Sequence, residues 1–148
     1  MLKGIHPILH PDLLHVLASM GHGDSIAIVD SNFPAASTAQ GLVIDSPLVM
    51  GVDVILAVKA ILTVLPIDTF TPEEPPVLAM QIVGQPAEIP EVVQLAAPVF
   101  KAEGADVALI ERFAFYAAAK DAFAVVKTTE TRLYGNFIIR KGVVRSDL

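Results

Sequence analysis

Few residues in this sequence carry reactive chemistry, and they are scattered. His22 lies between two glycines in G-H-G-D, residues 21–24. Flanking glycines leave an imidazole uncrowded, and histidine exchanges protons near neutral pH. The plainer alternative is a loop histidine following a helix end. Asp30 closes the apolar run S-I-A-I-V and leads into Asn32-Phe33-Pro34-Ala35. Polar groups at the carboxyl ends of strands line the ligand crevice of α/β folds, although an aspartate there can equally close an Asx turn. Asp68, in L-P-I-D-T-F, presents the same choice between turn cap and pocket carboxylate. Arg112 and Tyr116 are four residues apart and share a helix face. A guanidinium beside a phenol suits a hydroxyl-rich ligand; otherwise they are a surface arginine and part of an aromatic stripe with Phe113 and Phe115. Tyr134-Gly135-Asn136 reads as a turn whose phenol and amide could also contact a ligand.

These types point to general acid–base work on a neutral polar molecule. Other chemistries lack their residues. There is no cysteine, which excludes disulfides, thiol catalysis and thiolate metal sites and is compatible with the cytoplasm. His6, His10 and His15 cluster near the first helix but form no H-x-x-x-H pair on a convincing helix face and no H-E-x-x-H. Zinc needs three or four placed ligands, so no metal is expected, and His15 reads as a helix-surface residue. Ten basic against 16 acidic residues give a net charge of −6. No basic stripe is present to neutralise phosphates, so nucleic acid is not an expected partner.

The chain has 148 residues, the size of one domain, and residues 1–148 are taken as a single unit. It is 53% apolar, with a mean hydropathy of +0.61. Parallel strands buried on both faces and apolar subunit contacts both raise that value. A membrane span does not account for it: Val52–Leu65 is broken by Asp53 and Lys59 and falls short of about 20 apolar residues. The opening M-L-K-G-I-H-P lacks a signal-peptide layout.

Hydrophobic periodicity predicts the elements that must position these side chains. Pro11–Met20 reads as a helix with an apolar stripe at Leu13, Leu14, Leu17 and Met20, started by Pro11 and stopped by Gly21 in a left-handed conformation. Helices are also expected at Val52–Leu65, at Pro90–Phe100 with Pro98 interrupting or ending it, and at Arg112–Ala122. Strands are expected at Ser25–Val29, 42–44, Val77–Val83, Val107–Ile110, Phe123–Thr128 and Phe137–Arg140, with a loop over Thr71–Pro76. This alternation predicts a layered α/β/α domain on a mixed, mostly parallel sheet, with at least one antiparallel pair in the strand-rich C-terminal third.

In order along the chain stand G-H-G-D, Asp30 with N-F-P-A, L-P-I-D-T-F, R-F-A-F-Y at 112–116 and Y-G-N at 134–136. Each is weak alone. The ordered set resembles the L-fucose mutarotase branch of the family that also contains D-ribose pyranase, over essentially the whole chain. The ribose branch has G-H-T-D and Y-A-N and lacks R-F-A-F-Y. The resemblance implies cofactor-free and metal-free interconversion of the anomers of a reducing sugar. It also implies a ring-shaped homo-oligomer, often a decamer, with sites near subunit contacts. It makes His22 the catalytic acid, gives catalytic roles to Asp68 and Tyr116, and places Asp30, Arg112, Tyr134, Gly135 and Asn136 on the sugar. The competing readings are a D-ribose pyranase, a non-catalytic sugar-binding protein and a structural oligomer without ligand.

One geometric difficulty follows. His22 precedes the strand Ser25–Val29 and Asp30 follows it, and five strand residues span about 17 Å. Two ends of one straight strand cannot both touch one sugar, so at least one site residue is expected to cross a subunit boundary.

Overall fold

In Ser25–Val29, Ile26 and Ile28 bury on one side while Ala27 and Val29 bury on the other. A strand apolar on both faces needs cover on both, and the computed structural model provides it. The structure describes residues 1–71 and 73–145. The elements run α1 (Pro11–Ser19), β1 (Ser25–Val29), α2 (Ala35–Ala39), β2 (Leu48–Val49), α3 (Val54–Leu62), β3 (Val77–Met80), α4 (Glu91–Ala102), β4 (Val107–Ile110), α5 (Arg112–Ala119), β5 (Ala124–Lys127) and β6 (Phe137–Arg140).

The six strands form one sheet in the order β2-β5-β1-β6-β3-β4. β1 is parallel to β5, β5 to β2, and β3 to β4. β6 runs antiparallel to both of its neighbours, β1 and β3. The class is α/β, with the mixed, mostly parallel sheet that the alternation predicts. Leu13 and Leu17 of α1, Val54 and Ile61 of α3 and Phe100 of α4 cover one face through Ile26, Val126, Phe137 and Ile139. Ala35 and Ala39 of α2 and Phe115 and Ala119 of α5 cover the other through Ala27, Val29, Val125 and Ile138.

Local chemistry sets the helix starts. The Nδ1 of His10 accepts the Leu13 N–H at 3.3 Å, and Pro11 fills the first turn of α1. Asp53 Oδ1 accepts the Leu56 N–H at 2.9 Å and caps α3. Glu111 Oε2 accepts the N–H groups of Phe113 and Ala114 at 2.9 and 3.2 Å, so Arg112 is the first residue of a capped helix.

Several expectations are corrected. Residues 42–44 are not a strand: Val43 is exposed and only the Ile44 N–H reaches toward β5, donating to the Phe123 carbonyl. The strand that pairs with β5 at this edge of the sheet is β2, two residues long. α3 spans Val54–Leu62 rather than Val52–Leu65, because Asp53 caps it and Thr63 closes it. β3 stops at Met80, where Ile82 turns back to Gln85. α4 continues to Ala102 through Pro98, which sits on its exposed side. α5 ends at Ala119 rather than Ala122. Helix α1 ends at Ser19, the following Met20 is extended, and the left-handed residue is Gly23, with φ of 87°, not Gly21. Of the expected loop Thr71–Pro76, Pro72 lies outside the described residues.

Candidate active site

β6 organises the chemistry, because an antiparallel neighbour presents its start to the end of β1 and its end to the start of β1. The register pairs Ile28 with Phe137 and Ser25 with Arg140. Tyr134-Gly135-Asn136, just before β6, therefore lies against Asp30, just after β1.

At that carboxyl end of β1 the side chains interlock. The Asp30 N–H donates to Asn136 Oδ1 at 2.9 Å, and Asn136 Nδ2 donates to Asp30 Oδ2 at 3.2 Å. Asp30 Oδ1 accepts the N–H groups of Asn32 and Phe33 at 3.0 and 2.9 Å. The Asx-turn reading and the crevice reading of Asp30 thus both hold geometrically. Burial pushes the Asp30 carboxyl above its ordinary range, and the N–H groups of Asn32, Phe33 and Gly135 and the Asn136 amide only partly offset it. No cation pairs with Asp30 among the described ion pairs.

A cleft of about 200 Å³ opens beside Asp30, walled by Phe33, Met80, Arg112, Tyr116, Tyr134 and Asn136, among others. Arg112 and Tyr116 do share this face of α5. The Tyr116 ring tilts against Phe33 with centroids 5.6 Å apart. The Arg112 guanidinium lies 4.7 Å from the centre of the Phe113 ring, and its Nε is buried without a partner among the described residues. Such a donor costs about 1–3 kcal/mol until a water or ligand oxygen meets it. Tyr134 takes a positive φ of 65°, and its hydroxyl accepts the Val83 N–H at 3.2 Å.

Gly135 is required by close approach. A Cβ there would stand 2.8 Å from Glu130 Cγ and 3.5 Å from Asp30 Cβ. Glu130, which sequence reasoning passed over, is buried and holds this loop. Its carboxylate accepts the Arg132 backbone N–H at 2.8 Å, Arg132 Nε at 2.9 Å and Nη2 at 2.8 Å, and the Val54 N–H at 3.3 Å. The Arg132 guanidinium holds its carboxyl down at about 2.

His22 and Asp68 lie at the other end of β1. The turn carrying His22 hangs on the extension of β6: the Gly23 N–H donates to the Lys141 carbonyl at 2.9 Å, and the Lys141 N–H to the Asp24 carbonyl at 2.8 Å. The segment carrying Asp68 joins the same extension, with the Asp68 N–H donating to the Arg140 carbonyl at 3.0 Å and the Gly142 N–H to the Pro66 carbonyl at 2.8 Å. A Cβ on Gly142 would stand 2.5 Å from the Ile67 carbonyl oxygen, so only glycine permits this approach.

His22 Nε2 reaches Asp68 Oδ1 at 3.4 Å, with His22 half exposed and Asp68 only 2% exposed. The imidazole meets the edge of Phe70 at 6.5 Å between centroids. Asp68 Oδ2 accepts Arg140 Nε at 2.8 Å, and Oδ1 accepts the Phe70 N–H at 3.0 Å. Burial alone would raise the Asp68 carboxyl; the Arg140 guanidinium, the Phe70 N–H and His22 outweigh it and hold it below the usual range. Arg140 was not foreseen, although a single cation closing the apolar run F-I-I is the kind of signal that marks such a residue.

The structure thus gathers Asp30, Arg112, Tyr116, Tyr134, Gly135 and Asn136 at one end of β1, and His22 with Asp68 at the other. A hollow of about 370 Å³ adjoins Asp68, but acidic residues Glu73, Glu74 and Asp106 line it and none of the first group does. Among the described residues no three His, Asp or Glu side chains gather in a way that could hold a metal ion, and no helix is long and apolar enough to cross a membrane.

The sequence model of the RbsD / FucU transport protein family matches residues 3–144. The L-fucose mutarotase of Histophilus somni (strain 2336) is 42% identical over 146 residues, covering 97% of this chain and 97% of that protein. The fucose mutarotase of Homo sapiens is 43% identical over 155 residues, covering 97% of this chain and 94% of that protein. The crystal structure of the fucose mutarotase from Streptococcus pneumoniae in complex with L-fucose superposes with a TM-score of 0.83 at 33% identity, over 97% of this chain and 100% of that one.

Proposed function

Because the chain belongs to the RbsD / FucU family, matched over residues 3–144, we propose that it is an isomerase that interconverts the anomers of L-fucose. The observation that carries the reading is the cleft at the end of β1, where Arg112 Nε, buried without a partner among the described residues, lines the same walls as the Asp30 carboxylate, which meets no cation among the described ion pairs. A hydroxyl oxygen supplies the acceptor that Arg112 Nε lacks, and its O–H can donate to the remaining lone pair of Asp30 Oδ2.

Mutarotation moves two protons. The anomeric hydroxyl loses one while the ring oxygen gains one, the ring C–O bond opens, the aldehyde turns, and closure reverses both transfers. In the reading we favour, His22 donates to the ring oxygen. Asp68, 3.4 Å from His22 Nε2, orients the imidazole and balances its charge rather than taking the anomeric proton. Asp30, its carboxyl raised by burial, takes the anomeric proton, and the Tyr116 hydroxyl in the same cleft relays it. Arg112 and Tyr134 hold ring hydroxyls. Asn136 spends one N–H and one lone pair on Asp30, which leaves it one of each for the sugar. General acid–base catalysis of this kind contributes about 10²–10⁴-fold, and alignment in a water-poor cleft adds to it.

Because the two groups stand at opposite ends of β1, the site is completed by a neighbouring subunit. His22, Asp68 and exposed Phe70 of one subunit meet the cleft of the next, whose lining includes exposed Val83 and Leu133. Two different surfaces in contact make a heterologous interface, which gives a ring when its rotation closes; a decamer of stacked rings in the cytoplasm is the assembly and setting we propose.

The test is NMR exchange between the α and β anomers of L-fucose, with saturation of one and transfer to the other, against D-ribose in parallel. Accelerated exchange of L-fucose is expected. Acceleration of D-ribose pyranose–furanose exchange alone would make the chain a pyranase. Tight binding with exchange at the uncatalysed rate would make it a binding protein.

A further inference from the structure

Arg140 has no role in the reading above, yet it is the cation on which the His22–Asp68 pair rests. Its Nε donates to Asp68 Oδ2 at 2.8 Å; its Nη1 and Nη2 donate to the Glu74 carboxylate and the Glu74 carbonyl, both at 2.9 Å. Arg140 is only 16% exposed, Asp68 2%, and Glu74 70%. A carboxylate as buried as Asp68 is tolerated when a partner matches it in charge and geometry. The backbone fixes the partner, since the Asp68 N–H bonds the Arg140 carbonyl. One oxygen of Asp68 is thereby committed to the guanidinium, and the other faces His22.

We propose that Arg140 is a positioning residue for proton transfer: it aims Asp68 at His22 and ties Asp68 to Glu74. The inference rests on His22 and Asp68 forming the proton-donating half of the site. The other charged groups of this region are otherwise engaged. Asp24 Oδ2 accepts the Gly21 N–H at 2.7 Å. Lys141 Nζ donates to the carbonyls of Leu17 and Met20. The Arg145 guanidinium lies over the Phe70 ring at 5.3 Å. Glu73 and Asp106 line the neighbouring hollow, and Asp106 pairs with Lys101. Among the described residues Arg140 alone forms an ion pair with both Asp68 and Glu74.

A double-mutant cycle on the assembled full-length protein tests this, read by L-fucose anomer exchange from about pH 5 to 8, the range in which histidine titrates. Arg140→Met should slow exchange at saturating sugar by about tenfold or more with KM nearly unchanged. Its acid limb should move to higher pH, because Asp68 loses the cation that favours its ionised form. Arg140→Lys should recover much of the rate but not all, since a point-like ammonium cannot reproduce the forked contact to Asp68 and Glu74. Asp68→Asn with Arg140→Met should be no slower than Asp68→Asn alone, since Arg140 acts through Asp68. Should Arg140→Met fail to fold, the double variant, which buries no unpaired charge, and Arg140→Lys still decide the matter. A wild-type rate and pH profile in Arg140→Met, or losses that multiply in the double variant, would overturn the proposal. If Asp68→Asn itself exchanges at the wild-type rate, the underlying reading of the His22–Asp68 half-site fails instead.

Discussion

The proposal that the site is shared between two subunits makes a quantitative prediction about mixed oligomers. His22→Asn disables the half-site at the start of β1 and leaves the Asp30 cleft intact. Asp30→Asn does the reverse, and Asn still accepts one of the local N–H groups. The halves are separated by the five residues of β1, about 17 Å at about 3.3 Å per residue, several times the width of a six-membered sugar ring. Each variant alone should lose about 10²–10⁴-fold in catalysed exchange. Unfolding the two together in equal amounts and refolding them should recover activity. A working site needs a subunit with intact His22 facing one with an intact cleft. At random assembly each choice is one in two, so roughly a quarter of the heterologous contacts are competent. Anomer exchange by NMR, normalised to assembled protein, measures that fraction. Recovery no greater than the sum of the two parents would refute the shared site, as would a monomeric preparation with full activity.

The remaining predictions concern the supports. Tyr116→Phe keeps the ring against Phe33 and removes only the hydroxyl; kcat should fall at least tenfold if the phenol moves a proton, whereas a rise in KM alone would make it a binding group. Gly135→Ala places a Cβ 2.8 Å from Glu130 Cγ and should cost about 1–3 kcal/mol by denaturant titration, with a raised KM for L-fucose because Tyr134 and Asn136 shift. Glu130→Gln removes the carboxylate that gathers Arg132 and the Val54 N–H; the expected loss is about 2–3 kcal/mol, less than for a fully buried pair, because Arg132 keeps contact with water. In the wild type the folded Glu130 carboxyl is depressed from 4.5 to about 2. Its stabilisation is therefore complete above the unfolded value and disappears as pH falls through that window. Thermal melts should show a steeper acid loss for wild type than for Glu130→Gln, and parallel curves would contradict the assignment.

How far the sequence disclosed this arrangement depends on the length scale of each signal. Ser25–Val29, Val107–Ile110 and Phe137–Arg140 were legible to the residue, because each is an apolar run bounded by polar or turn residues. α2 was missed because Ala35–Ala39 is one short turn of small residues with no side-chain cap, and β2 because two residues carry no periodicity. Local chemistry identified Arg112 and Tyr116 as face-sharing, and the cleft holds both. The pairings of Asp30 with Asn136, 106 residues apart, and of Asp68 with Arg140, 72 apart, were beyond any local rule. Sheet order creates them. The resemblance named Asp68 but not its arginine, since Arg140 lies outside every motif that carried it.

The orientation of β6 explains why one strand can serve both groups. Tyr134-Gly135-Asn136 precedes it, and Arg140 ends it. Had β6 run parallel to β1, its leading turn would lie beside Ser25 and its final arginine beside Asp30. Asn136 would then face the His22 turn, and Asp68 would be buried without its cation. The antiparallel register, Ile28 with Phe137 and Ser25 with Arg140, sends the amide to the cleft and the guanidinium to Asp68. A slip of one residue along this ladder would turn Phe137 and Ile139 out of the face covered by α1, α3 and α4, so the packing that stabilises the sheet also fixes the spacing of the two halves. Core and chemistry are thus specified by the same four residues, and a change that loosens β6 should weaken both ends of the site together.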